Sequence, residues 1–473
     1  MTGPLKSFIN GKFVLPADHQ IFDTINPAMG TVSGQVAMAT PVSVDEAVTA
    51  ARSAVPAMAA STPEQRHTWL KAIAEGLAAR ADDLAQAITL EMGAPNWLAH
   101  KAQVPAGIAH LKIAASALKT YAFERPHNDG MIVEEPIGVC GLITPWNWPL
   151  NQITCKLAPA IATGCPVVWK PSEYAAHSAQ ILAEVISATD LPQGAFNMVY
   201  GDGPGVGAAM AAHQDIDLIS FTGSTGAGVA VAQAAAPSVK RVHQELGGKS
   251  PYLVMPNADL KAAVVGCARS LFLNSGQSCN APTRLLVPHD KMDAAAEIAA
   301  GVAAKTVPGH PDTEDMVMGP VVNQAQRNRI RQYIEAGQKE GAKLVAGGAE
   351  HPKGCPEGGF YIRSTVFAHV RNDMTIAREE IFGPVLCIIG YETLEEAITI
   401  ANDTPYGLAA YVMGPTPDAA KAVARRIKAG QVLLNNAQPD FTAPFGGYKM
   451  SGNGREWGIE AFQEFSESKA III

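Results

Sequence analysis

Cys279 stands apart among seven cysteines scattered through the chain with no CxxC pair. That scatter fits neither a disulfide framework nor a zinc ribbon, and no metal site is implied. A nucleophilic thiol must be reachable and must ionise more easily than a free cysteine, whose pKa is about 8.5. Cys140 and Cys387 lie inside apolar strand-like runs, Cys267 in a helical stretch, Cys355 in a Pro/Gly-rich loop and Cys165 directly before Pro166, and these five read as structural. The segment NSGQSCNAPTR instead surrounds Cys279 with small polar residues ahead of the strand-like TRLLV, which puts its side chain and backbone N–H at a loop. On that ground alone a reactive and a structural thiol remain equally open.

Two further groups have the chemistry to assist such a thiol. HQELGGK sets Glu245 at a strand end against two glycines, where backbone can approach without side-chain bulk. A partly desolvated carboxyl there serves as a general base if its pKa rises towards neutrality; the alternative is an ordinary carboxylate paired with Lys249 or Lys240. TPWNWP holds Asn147 between two tryptophans on a stretch stiffened by Pro145 and Pro149. A rigid amide in a dry site can donate to an oxyanion, which is worth roughly 3 to 4 kcal/mol of barrier, although the same residue could equally be a turn asparagine. His243 shares a strand face with Glu245 and could be the base of a thiol hydrolase, but no histidine lies in the Cys279 loop.

These residues need elements to position them. From Ile137 to Met255, short apolar runs (IGVCGLI, PVVWK, FNMVY, DLISFTG, RVHQEL) alternate with Ala-rich helical segments. That alternation predicts a parallel sheet covered by helices, which binds nucleotides at the carboxyl ends of its strands. FTGSTGAG follows a strand and opens a helix, so its backbone N–H groups could face a pyrophosphate, although the spacing is not GxGxxG. KPSE offers Lys170 and Glu173 at another strand end, where a glutamate can accept hydrogen bonds from a ribose diol. A second α/β stretch runs from about 259 to 427, with TRLLV, GFYIRSTVF and PVLCIIGY as strands. Near the N-terminus, Asn10-Gly11 predicts a hairpin and Asn26-Pro27 a turn. Ser43 to Glu46 and Thr62 to Gln65 have capping-box spacing, and Gly93 is placed to end a helix.

The 473 residues, 47% of them hydrophobic, suffice for about three structural units. The formal charge of −8 comes without a long run of either sign, which argues against nucleic acid or an anionic lipid surface as partner. No apolar stretch has the length of a signal peptide or a membrane span, and the chain reads as soluble and cytoplasmic.

In order, TPWNWP, WKPSE, FTGS, ELGGKSP, GQSC, EEIFGPV and PFGGYKMSGNGRE resemble the signature segments of the aldehyde dehydrogenase superfamily, over nearly the whole chain. The resemblance implies oxidation of an aldehyde to a carboxylic acid with NAD(P). Cys279 would be the nucleophile, Glu245 the base that activates water, and Asn147 with the Cys279 backbone N–H the oxyanion hole. For the cofactor it implies Lys170 and Glu173 at the adenosine ribose, Ser224 near the pyrophosphate, and Ile143, Thr144, Pro145, Trp146 and Gly203 along the dinucleotide. Glu380 and Phe382 fall at the nicotinamide side, and Ser172, Gly223 and Leu246 are further contacts. Glu173 near the ribose 2′ position favours NAD over NADP, unless Lys170 pairs with the extra phosphate. A CoA-acylating relative would dispense with Glu245, and a catalytically silent one would not need the intact Cys, Glu and Asn set.

The implied architecture is α/β: a Rossmann-like cofactor domain (1–116 and 137–247), an α/β catalytic domain (248–450) and a small β oligomerisation element (117–136 and 451–473). The tail FSESKAIII is an apolar strand whose edge would need a partner, which predicts a homodimer or homotetramer. The helix after Asn147 presents Asn151, Gln152 and Cys155, while Ser278 and Asn280 flank the nucleophile and Gln438 and Phe441 precede PFGG. Those side chains predict a polar tunnel and a small or polar aldehyde.

Overall fold

The Asn10-Gly11 pair folds Ser7–Ile9 back on Lys12–Val14 as a two-residue hairpin, and both residues have positive φ. Thr62 caps the helix Pro63–Ala79 with a complete capping box, its hydroxyl accepting from Gln65 N–H and the Gln65 side chain accepting from Thr62 N–H. The box expected at Ser43 does not form. Pro41, with φ already helical, starts the helix Pro41–Ala59 two residues earlier, and Ser43 is buried in its first turn. The computed structural model describes residues 3 to 473, so Met1 and Thr2 of the expected first domain lie outside it.

The first large sheet has eight strands in the order Gly452–Asn453, Arg241–Glu245, Leu218–Thr222, Cys140–Ile143, Val167–Lys170, Phe196–Met198, Ser7–Ile9, Lys12–Val14. Its five central strands are parallel, and apolar clusters cover both faces. From Cys140–Ile143 the chain builds outwards through two strands, then returns to the other side of that strand with Leu218–Thr222. The order therefore reverses between Cys140–Ile143 and Leu218–Thr222, the place where open α/β sheets leave a crevice beyond their strand ends.

The second sheet has seven strands, from Lys343–Ala346 at one edge to Gln431–Leu434 at the other, and is parallel except for the antiparallel pair of Lys343–Ala346 with Thr365–Ala368. Of the expected strand GFYIRSTVF only Thr365–Ala368 forms. Phe360 is buried but takes its backbone hydrogen bonds from loops, donating to Pro27 C=O and accepting from Val321 N–H. A third sheet joins Glu124–His127, Gly130–Pro136 and the tail strand Ser466–Ile471, which is mostly exposed along its length. Among the described residues no helix is long and apolar enough to cross a membrane.

Only Leu246 to Lys249 separate Arg241–Glu245 in the first sheet from Ser250–Val254 in the second. This short crossing brings the carboxyl end of the first sheet's strands against the amino end of the second sheet's parallel strands. At Gly248 a Cβ would fall 2.3 Å from the carbonyl oxygen of Cys279, so only glycine lets the link pass the Cys279 loop.

Candidate active site

The helix Leu260–Phe272 gives way to a tight reversal in which Asn274, Ser275 and Gly276 all have positive φ. A side chain at Gly276 would meet the Gly383 carbonyl carbon at 2.2 Å. This turn delivers Cys279, half-buried, just ahead of the strand Pro282–Pro288.

Amide hydrogen bonds tie that loop to Asn147. Asn147 Nδ2 donates to Gln277 C=O at 3.1 Å, and Asn274 Nδ2 donates both to Asn147 C=O at 2.8 Å and to Gln277 C=O at 3.2 Å. The Gln277 side chain is itself held, accepting from Val322 N–H and donating to Asn274 C=O. One N–H of the Asn147 amide is left over, which is what an oxyanion donor requires. Trp148 adds a further tie by donating from Nε1 to Ser278 Oγ at 2.8 Å.

Glu245 is 2% exposed and pairs with neither lysine considered for it. Lys240 donates to backbone carbonyls of Ala211 and His213, and Lys249 is buried with no partner for Nζ. Instead Oε1 lies 3.4 Å from His243 Nε2, and Oε2 has no partner. Burial raises the Glu245 carboxyl well above its ordinary value, and the nearby Glu456 carboxylate adds to the rise. Burial also pushes the Cys279 thiol up, with Glu380 and Glu245 reinforcing it and the Asn280 backbone N–H opposing it. Cys279, Glu245, Asn151, Gln152, Ser278 and Asn280 all line one cavity of about 120 Å³.

A second cleft of about 240 Å³ shares Cys279 and Gln152 with the first and opens at the strand reversal. Pro145, Trp146, Asn147, Gly223, Ser224, Leu246, Glu380 and Phe382 line it, as the sequence implied for most of them. Trp146 and Phe382 meet edge to face across it at 5.6 Å, and Ser224 caps the helix Thr225–Ala235 whose N-terminus points there. Glu380 Oε1 accepts from Gly248 N–H at 2.9 Å. Gln326 and Arg329, which sequence reading missed, support this wall: Gln326 donates to Phe382 C=O and Arg329 to Glu380 C=O.

Not every expected residue reaches this cleft. Ile143 packs in the core, and Thr144 accepts from Trp169 Nε1 at 2.8 Å. Lys170, Ser172, Glu173 and Gly203 lie off it, about the ends of the next strands. There Lys170 Nζ donates to Pro171 and Gly201 carbonyls and lies 3.6 Å from Glu173, Ser172 caps the turn Glu173–Ala175, and a Cβ at Gly203 would meet open space.

The aldehyde dehydrogenase family model matches residues 13–471, and the chain is 48% identical over 466 residues to the 3-succinoylsemialdehyde-pyridine dehydrogenase of a Pseudomonas species, covering 98% of each. The chain belongs to the aldehyde dehydrogenase family. A crystal structure of an aldehyde dehydrogenase C mutant from Pseudomonas syringae, in complex with NAD+ and octanal, is 50% identical with a TM-score of 0.98, covering 99% of this chain and 96% of that one. Betaine aldehyde dehydrogenase of Staphylococcus aureus, solved with NAD+, is 34% identical with a TM-score of 0.95, covering 99% of this chain and 94% of that one.

The tunnel of this aldehyde dehydrogenase is less polar than its sequence suggested. Trp148, Phe441, Phe445 and Trp457 wall the smaller cavity, with Phe445 stacked on Trp457 at 4.4 Å and Phe441 against Trp457 at 5.0 Å. Asn151 Oδ1 is engaged by His110 Nε2 at 2.8 Å, and Gln438 is exposed beside the lining residue Pro439. Cys155 lies just behind the lining, packed with Phe445, Trp457 and Cys279, its thiol donating to Glu456 Oε2 at 3.1 Å.

Glu456 itself went unassigned from sequence, as did its partner Lys156, whose ammonium it binds inside the protein. Burial works to raise the Glu456 carboxyl, but Lys156 beside it holds it below its ordinary value. Lys156, the one charged residue of the buried helix Pro149–Thr163, was the available signal, since a buried ammonium must have a partner. Removing one member of such a pair strands the other charge: Lys156→Met is expected to cost about 3 to 5 kcal/mol in urea unfolding, and Lys156→Met with Glu456→Leu to recover most of that loss.

Proposed function

We propose that this enzyme oxidises apolar aldehydes to carboxylic acids with NAD+, through a thioester on Cys279 that water hydrolyses. The observation that carries this reading is the convergence of Cys279, the spare Asn147 N–H and the unpaired Glu245 oxygen on two adjoining clefts, one aromatic-walled and one at the sheet's strand reversal.

Once deprotonated, Cys279 Sγ bonds to the aldehyde carbon, and the carbonyl π pair becomes an oxyanion facing the Asn147 amide and the Cys279 backbone N–H. NAD+, when bound, supplies the acceptor for the hydride that leaves as the carbonyl re-forms. The acyl group then remains on Cys279 as a thioester. Glu245 Oε2 takes a proton from water as the water oxygen attacks the thioester carbon, and cleavage of the C–S bond frees the acid and the thiolate. An unpartnered carboxylate oxygen at the cavity favours water over CoA as acyl acceptor. Pro145, Trp146, Gly223, Ser224, Leu246, Glu380 and Phe382 suit a dinucleotide, offering a helix N-terminus, a carboxylate and aromatic faces.

The aromatic wall supports alkyl chains or aromatic rings rather than hydroxylated aldehydes. It accords with the octanal bound to the Pseudomonas syringae relative and with the pyridine semialdehyde in the name of the Pseudomonas enzyme. NAD+ is favoured because Lys170 is committed to two carbonyls and Glu173, which leaves its ammonium no spare N–H for a 2′-phosphate. We further propose three structural units with the boundaries implied by the sequence, and a cytoplasmic homo-oligomer joined at the exposed Ser466–Ile471 edge.

NADH formation across an aldehyde panel should rank octanal and benzaldehyde above glycolaldehyde in kcat/KM, with no turnover by Cys279→Ala; a preference for glycolaldehyde would reverse the substrate assignment. In initial-rate assays Glu173→Gln should narrow the preference for NAD+ over NADP+ by about tenfold, the scale of one lost charge-assisted contact. A chain ending at residue 465 should have a smaller mass than the full chain in light scattering; an unaltered mass would place the interface elsewhere.

A further inference from the structure

Glu245 does not stand alone at its strand end. His243, two residues earlier, turns its ring to the same face, with Nε2 3.4 Å from Glu245 Oε1. On the other side of the ring, Nδ1 lies 3.2 Å from the hydroxyl of Ser220, its register partner on the neighbouring parallel strand. All three side chains are buried, and a Cβ at Gly454 would fall 2.3 Å from His243 Cδ2, so the ring has no room to swing aside. Burial lowers the imidazole pKa to about 4, which leaves one ring proton at neutral pH. An ionised carboxylate can only accept, so that proton sits on Nε2 and is donated to Oε1, while Nδ1 accepts from Ser220. Glu245 Oε2 remains without a partner.

We propose that Ser220 and His243 position the catalytic base, the imidazole N–H holding Glu245 Oε1 so that Oε2 alone is left to take the proton from water. This rests on Glu245 being the base. His243 is a positioning residue acting through Glu245. Other charged or titratable groups face the pair from every packed element: Arg455, Glu456 and Glu464 near the C-terminus, Cys155 and Lys156 from the helix Pro149–Thr163, and Cys279 from the nucleophile loop. Among them Glu456 and Glu464 disfavour ionisation of Glu245, while Lys156 and Arg455 favour it. A neutral donor in contact stabilises the ionised carboxylate without adding a charge.

The test is stopped-flow NADH release followed by steady-state turnover across pH, on the full chain, with the best aldehyde of the panel. His243→Leu should keep the wild-type burst, slow the phase after it, and move the acid limb of kcat upwards by about one unit, which is about tenfold in rate below the limb. His243→Gln, which retains an N–H donor, should recover most of that loss, and Ser220→Ala should shift the limb the same way by less. The proposal is overturned if His243→Leu matches wild type in limb and post-burst rate, or if its burst and turnover fall together. Should His243→Leu fail to fold, an unshifted limb in Ser220→Ala overturns it instead. Glu245→Gln separates the two readings: a burst without turnover supports Glu245 as base, whereas wild-type turnover removes that role whatever His243 does.

Discussion

Glu245 must stay inside the protein without a cation of its own, and much of the surrounding structure answers to that requirement. A buried carboxylate is costly unless compensated, and a directly bound ammonium would compensate it. Such a partner would also hold the group ionised and weaken it as a base. The nearby ammonium, Lys156, is bound instead by Glu456, which keeps the pair's net charge near zero. What touches Glu245 is a neutral imidazole, and one oxygen is left unpaired. The arrangement leaves Glu245 without a cation that would hold its proton off, so the carboxyl can take one up, as the proposed base must in each turnover.

The second requirement is that Glu245 and Cys279, carried on different sheets, keep one geometry. The four-residue link through Gly247 and Gly248 limits how far the sheets can separate at this end. The amides of Asn147, Asn274 and Gln277 fix the loop against the first sheet. Asn274 and Ser275 sit in left-handed conformations costing about 1 to 3 kcal/mol each, a strain the surrounding hydrogen bonds must offset. Strain gathered just before Cys279, with a regular helix on one side and a regular strand on the other, is what pre-organisation of a reacting group looks like in backbone terms.

This division between regular and strained parts also governs what could be read from sequence. Strands with β-branched residues and glycine turns were legible, because short runs such as PVVWK and RVHQEL, set between helical segments, encode local geometry. Glu245 and Cys279 were legible as candidates because each lies where a strand meets a glycine-rich turn. Glu456 was not, since the Lys156 that fixes it is 300 residues away and no local pattern joins them. The tunnel failed for a related reason: the Asn151 oxygen and the Cys155 thiol turned out to be engaged by His110 and Glu456, while the wall came from Phe445 and Trp457 far down the chain. A residue type announces chemistry, but only the tertiary partner decides whether the group is free to perform it.

The same partners order the two halves of the reaction. Burial raises both Cys279 and Glu245, and each negative charge opposes the other, so thiolate and carboxylate are disfavoured together. In the resting site this limits idle reaction of the thiol. Once the acyl group is bonded to Sγ, that sulfur can no longer carry charge, and the repulsion opposing ionisation of Glu245 disappears. The carboxylate thus becomes easier to form at the step that needs a base. In the mechanism proposed above, formation of the thioester prepares its own hydrolysis, through the electrostatics of two groups that burial has made reluctant to ionise at once.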